Sequence, residues 1–168
     1  DVPATVGRAV ERLQHRDISF VTVHGNDGIM QAAAASKGDL KILAVTVLTS
    51  LDRGDLDDLG FQCDVEELVL SRARRAIHCG CDGVVASGHE AARLRDELGD
   101  RLMIVIPGIR PVENTDDQKR TVTVQDAFSH GADYIVVGRP IRDADNPRKV
   151  AETIQREIAS ALMSARPS

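Results

Sequence analysis

Five short, continuously apolar runs alternate with segments of helical period, and this alternation limits the fold to very few architectures. The runs cover residues 18–24 (ISFVTVH), 41–47 (KILAVTV), 83–86 (GVVA), 102–106 (LMIVI) and 134–137 (YIVV). They are rich in β-branched residues and apolar throughout, which is the pattern of parallel strands covered on both faces. Between them, residues 26–36, 64–79, 88–98, 123–130 and 146–165 predict helices. In the second of these, Val65, Leu68, Val69, Ala73, Ala76 and Ile77 form one stripe, and Gly80 is placed to end it. Asp1-Val2-Pro3 starts a further helix, with negative charge at its amino end and a proline that pre-sets the first turn. Strict strand–helix alternation supports either a doubly wound α/β sheet or a β/α barrel. With connections this short, the strands are expected to be parallel and in sequential order, with helices on one outer face.

Aromatic residues make up only 2% of the 168, so the core has to be packed from Val, Ile, Leu and Ala. The length predicts one domain spanning 1–168, but a complete (β/α)8 barrel takes about 250 residues. The net charge is −5, and no basic run is interleaved with aromatics, which argues against a nucleic-acid polymer as partner. No apolar stretch reaches the ~18 residues of a membrane span, and the first residues carry no signal-peptide pattern. The expected location is cytoplasmic. The three cysteines, Cys63, Cys79 and Cys81, fit reduced thiols. Cys79-Gly80-Cys81 lacks the further ligands of a zinc site, so buried thiols at a helix-to-strand turn are expected there and no metal.

Two loops carry the chemistry. The last strand runs into Gly138-Arg139-Pro140. Glycine lets a backbone come close to a ligand, and the arginine fork matches phosphate oxygens. One strand earlier, Ile106-Pro107-Gly108-Ile109-Arg110-Pro111 is followed by Asp116-Asp117-Gln118-Lys119-Arg120. The last two strand-to-helix loops of β/α barrels commonly bind phosphate, so Gly108, Gln118 and Arg139 form one candidate grip. Thr46 and Thr49 follow the second strand, where a hydroxyl either meets a ligand or caps the turn. His24 has no nucleophile or carboxylate partner in the pattern and is expected to be a structural, hydrogen-bonded histidine.

These pieces, in order and spacing, resemble the orotidine 5'-monophosphate decarboxylases, especially their bacterial branch. The resemblance rests on DVPATV, TVHGNDG, LAVTVLTS, IPGIRP with DDQKR, GADYIVVGRPI and DNPRKVAETI. It implies the (β/α)8 TIM barrel fold, with this chain covering about strands four to eight. The family signature is D-x-K-x-x-D followed by Ile/Val-Pro-x-Thr. Asp1 matches its last Asp and is the catalytic residue carried over, while the signature lysine falls before residue 1. By the same match, Val2, Thr5, Thr49, Pro107, Arg110, Gln118, Gly138 and Arg139 bind substrate. The resemblance further implies decarboxylation of a nucleotide monophosphate without metal or organic cofactor, in a homodimer with shared active sites. Two other readings stand beside it. One is a non-catalytic phosphate-binding barrel fragment or pseudoenzyme. The other is a metal-dependent sugar-phosphate decarboxylase or aldolase of the same barrel superfamily.

Overall fold

A computed structural model describes residues 2–110 and 121–164. In chain order the elements are α1 (Pro3–Leu13), β1 (Phe20–His24), α2 (Asp27–Ala35), β2 (Lys41–Val45), α3 (Arg53–Asp58), α4 (Val65–His78), β3 (Gly83–Val85), α5 (Gly88–Leu98), β4 (Met103–Ile106), α6 (Val124–Ser129), β5 (Tyr134–Ile135), α7 (Arg139–Arg142) and α8 (Pro147–Ser164). A 3-10 turn over Gly99–Arg101 joins α5 to β4. The strands form one sheet in the order β1-β2-β3-β4-β5, every pair parallel. Both the parallel pairing and the sequential order match the expectation from alternation. Three pieces were not foreseen: α3, the 3-10 turn and α7.

The helix ends follow from local chemistry. α4 stops because Gly80 adopts φ +84. Its N–H then donates to Ile77 O (3.1 Å) and that of Cys81 to Ala76 O (2.9 Å), closing the last turn. α5 opens on a reciprocal cap: the His89 N–H donates to Ser87 Oγ (3.2 Å) and the Ser87 N–H to Glu90 Oε2 (3.1 Å). Cys79 and Cys81 are buried and unpaired at this helix-to-strand turn, and burial pushes the Cys81 thiol up to about 11.

Parallel register divides each strand into two faces. Val23, Ile42, Ala44, Val84, Ile104 and Ile106 share one buried cluster with residues of the helices, such as Met30, Val69, Ala73 and Leu94. The alternate residues lie on the other face, where Phe20, Thr22, His24 and Tyr134 are partly or well exposed while Leu43 and Val105 are buried. The sheet curves around that second face. In a flat sheet, four inter-strand steps of about 4.8 Å put the edge strands about 19 Å apart. Yet Phe20 of β1 and Tyr134 of β5 meet edge to face with ring centroids 5.1 Å apart. Through the register, Tyr134 aligns with Val105, Val85, Val45 and finally His24, four residues beyond Phe20. Curvature of this kind brings the two edges of the sheet toward each other, as in a barrel.

The amino-terminal rim of the sheet carries one device twice. Asp82, just before β3, accepts the Ile42 N–H (2.9 Å) and the Lys37 ammonium (2.8 Å). Asp133, just before β5, accepts the Ile104 N–H (2.7 Å) and an Arg95 N–H (2.7 Å). In each case the carboxylate extends the ladder where the strand has not yet begun. For Asp82, burial raises the pKa, but the bonds from Lys37 and Ile42 and the charges of Lys37 and Lys41 outweigh it and hold the carboxyl below its ordinary value. Its contribution to stability is therefore present above the unfolded value and lost as pH falls through the lower folded one. Melting curves should show stability falling below about pH 4, less steeply in Asp82→Asn. An acid profile identical in the variant would show that Asp82 is not the group responsible.

Candidate functional site

Because all strands are parallel, their carboxyl ends share one rim, where α/β folds place ligands. β4 and β5 are neighbours, so the segments that follow them are brought together. After β4, Pro107 is half-buried and Gly108 turns the chain at φ +77, a conformation that requires glycine. The chain then returns to pair Ile109 with Val122 in an isolated parallel bridge, and the Arg110 N–H donates to Val122 O (3.1 Å). Arg110 itself is 6% exposed, and its Nη1 donates to Ile109 O (3.0 Å). The Arg110 side chain is therefore buried rather than open to solvent.

After β5, Val136 keeps one ladder bond, from its N–H to Ile106 O (2.9 Å). Gly138 then opens α7 at φ −105, ψ −96. It is exposed, and no described atom stands within 4 Å of the place a Cβ would take. Packing among the described residues gives no reason for a glycine here. Arg139 is half-buried as the first residue of α7. The Gly138-Arg139 and Pro107-Arg110 stations thus stand side by side on the rim.

The second strand contributes a separate station. Thr46 is buried and its hydroxyl donates to Val85 O (2.9 Å), which resolves its role as structural. Thr49 is half-buried in the turn that follows, still on the same rim. His24 differs from expectation. It lies exposed at the end of β1, and no side-chain hydrogen bond to it is formed among the described residues. The strand ends there with no neighbour on its outer side, so the ring has nothing to pack under. His24 also borders an apolar groove of about 350 Å³ along the β1 edge, with Val6, Val21, Ile29 and Leu48.

The start of α1 reaches this rim as well. Pro3 Cγ lies 3.3 Å from the position of a Cβ on Gly28, in the first turn of α2. Val2 is 54% exposed, and Thr5 is exposed one turn further, accepting a 3.5 Å bond from Arg8. Asp1 and Gln118, the remaining expected site residues, lie outside the described residues. So do residues 111–120 as a whole. Sequence reasoning missed Arg72 of α4, whose Nη1 donates to Thr46 O beneath the Thr49 turn.

Comparisons with known proteins give the chain's family. A family model described as "Orotidine 5'-phosphate decarboxylase / HUMPS family" matches residues 1–154. The orotidine 5'-phosphate decarboxylase of Methylococcus capsulatus is 69% identical over 160 residues, covering 94% of this chain and 66% of that protein. The one from Nitrobacter winogradskyi is 54% identical, covering 96% and 69%. The chain thus spans about two thirds of the length of these curated relatives. The crystal structure of orotidine 5'-phosphate decarboxylase from Lactobacillus acidophilus superposes with a TM-score of 0.79 at 34% identity, covering 94% of this chain and 71% of that one.

Proposed function

The chain belongs to the orotidine 5'-phosphate decarboxylase / HUMPS family, and from that premise we propose that it forms the phosphate-binding part of an orotidine 5'-monophosphate decarboxylase. The observation that carries this reading is the pairing of β4 with β5, which sets the Pro107-Gly108 turn beside Gly138-Arg139. Arg139 and Gln118 grip the phosphate, Gly138 and Pro107 shape the surface it meets, and Arg110 is a further substrate-binding residue of the same rim. Thr49, one strand pair away on the same rim, contacts the pyrimidine. The five strands are the fourth to eighth of an eight-stranded barrel, within one partial barrel domain. The parallel sequential order and the curvature of the sheet support a barrel.

In this reaction the bond between the pyrimidine ring and its carboxylate breaks and carbon dioxide leaves. The electron pair remains on the ring carbon, which a lysine ammonium protonates to give uridine 5'-monophosphate. The lysine belongs to the family signature ahead of Asp1. Asp1, by its match to the last Asp of that signature, belongs to the charged array of a second copy's site. Val2 and Thr5, exposed at the start of α1, reach the site of a second copy in a homodimer. Phosphate binding far from the reacting carbon supplies energy that is realised at the transition state. The full-length protein carrying this sequence should release carbon dioxide from orotidine 5'-monophosphate at the same rate with and without a chelator. If magnesium is required and only a keto sugar phosphate is consumed, the metal-dependent relatives on this barrel are the better description.

A further inference from the structure

Arg72 belongs to none of the motifs that define the site. It sits in the middle of α4, where a charged residue is ordinarily solvated. Here its Nη1 donates to Thr46 O, and its guanidinium carbon stands 5.7 Å from the centre of the Phe61 ring, within range of a cation–π contact. With Leu51, Leu56, Leu59, Phe61 and Leu68 it lines a cavity of about 190 Å³ beneath residues 46–51. Burial, and then repulsion from Arg75, hold its pKa below the ordinary guanidinium value.

Thr46 is where β2 leaves the sheet. Its N–H (3.1 Å) and hydroxyl (2.9 Å) both go to Val85 O, so its own carbonyl faces away from the ladder, toward α4. Arg72 takes that carbonyl. Three residues on, the turn closes through the Leu51 N–H to Leu48 O bond (3.0 Å). Thr49 therefore sits on a short arch with one foot pinned to β3 and α4. An arch this short passes any shift of its foot on to its tip.

We propose that Arg72 is a positioning residue for the base-side loop: by holding the Thr46 carbonyl against α4, it sets where the Thr49 hydroxyl stands and so tunes affinity for the pyrimidine. This rests on the reading of Thr49 as the base contact. The test is a titration of the full-length protein with uridine 5'-monophosphate and with ribose 5-phosphate, which lacks the base. Arg72→Met should weaken the nucleotide about tenfold, the scale of one lost charge-assisted bond, and leave ribose 5-phosphate unchanged. Arg72→Lys should recover most of the loss. Combined with Thr49→Ala, Arg72→Met should add nothing further, because both changes remove one coupled interaction. Equal weakening of ribose 5-phosphate, or losses that simply add, would make Arg72 a general scaffold residue and overturn the proposal. Normal nucleotide affinity in Thr49→Ala would overturn the Thr49 reading instead. Normal affinity in Arg72→Met beside a weakened Thr49→Ala would overturn the role of Arg72 alone. If Arg72→Met fails to fold, Arg72→Gln is read by the same outcomes.

Discussion

The 168-residue polypeptide by itself should release no measurable carbon dioxide from orotidine 5'-monophosphate, while a full-length protein that carries this sequence should turn the substrate over. The argument is about where its lysines stand. Its four are Lys37, Lys41, Lys119 and Lys149. Lys37 is bound to Gly80 O and Asp82, and Lys41 starts β2, so both belong to the amino-terminal rim, opposite the site. Lys149 is on α8, and Lys119 falls in the loop expected to hold phosphate. Among the described residues, none of Lys37, Lys41 and Lys149 matches the position of the signature lysine. A charged array that acts as a unit loses almost all of its effect when one member goes. The deficit should therefore be many orders of magnitude in kcat. A mass-verified sample of the polypeptide, assayed for labelled carbon dioxide, decides it: turnover above the uncatalysed rate would mean that another group supplies the proton.

The second large effect is at Arg139. Arg139→Ala should weaken uridine 5'-monophosphate by roughly 10- to 100-fold, the scale of a lost charge-assisted contact of about 1.5–3 kcal/mol. Uridine, which has no phosphate, should bind the variant as it binds the parent. The half-buried start of α7 places the change outside the main core, so melting temperature should move little. Calorimetry on the full-length protein with both ligands makes the comparison. An equal loss for both would assign Arg139 to the architecture of the rim rather than to the phosphate.

The strands were legible because residues buried between helices and a curved interior have to be apolar on both faces. Their ends were not. Three of the five runs, over 41–47, 83–86 and 134–137, go on beyond their last ladder pair: the N–H groups of Thr46, Ala86 and Val136 still bond to a neighbouring strand after pairing stops. α3 was hidden because its RGDLDD sequence offers one apolar residue, Leu56, and a glycine. What holds it is the Asp52–Asp55 capping box, not a stripe. α7 was hidden inside the Gly-Arg-Pro reading, although proline in a first helical turn is itself a start signal. At the site, Gly138-Arg139 and the Pro107-Gly108 turn were visible as residue types suited to phosphate. Arg72 was not, since a helix pattern shows only that it is charged. Its bond to Thr46 exists because α4 packs beneath the end of β2. His24 was misjudged for a related reason: the pattern could not show that β1 lies at an edge.

The edge-to-face pair that marks the curvature of the sheet also gives the molecule a built-in optical reporter. Tyr134 is the only tyrosine, and there is no tryptophan. Excited at wavelengths longer than phenylalanine absorbs, this polypeptide therefore emits from one ring on the concave face, 47% exposed and resting against Phe20. Strands that pair with the edges of β1 and β5 must close around this ring and take it out of water. Its emission and its access to a dissolved quencher then distinguish an open sheet from a closed cylinder without any label.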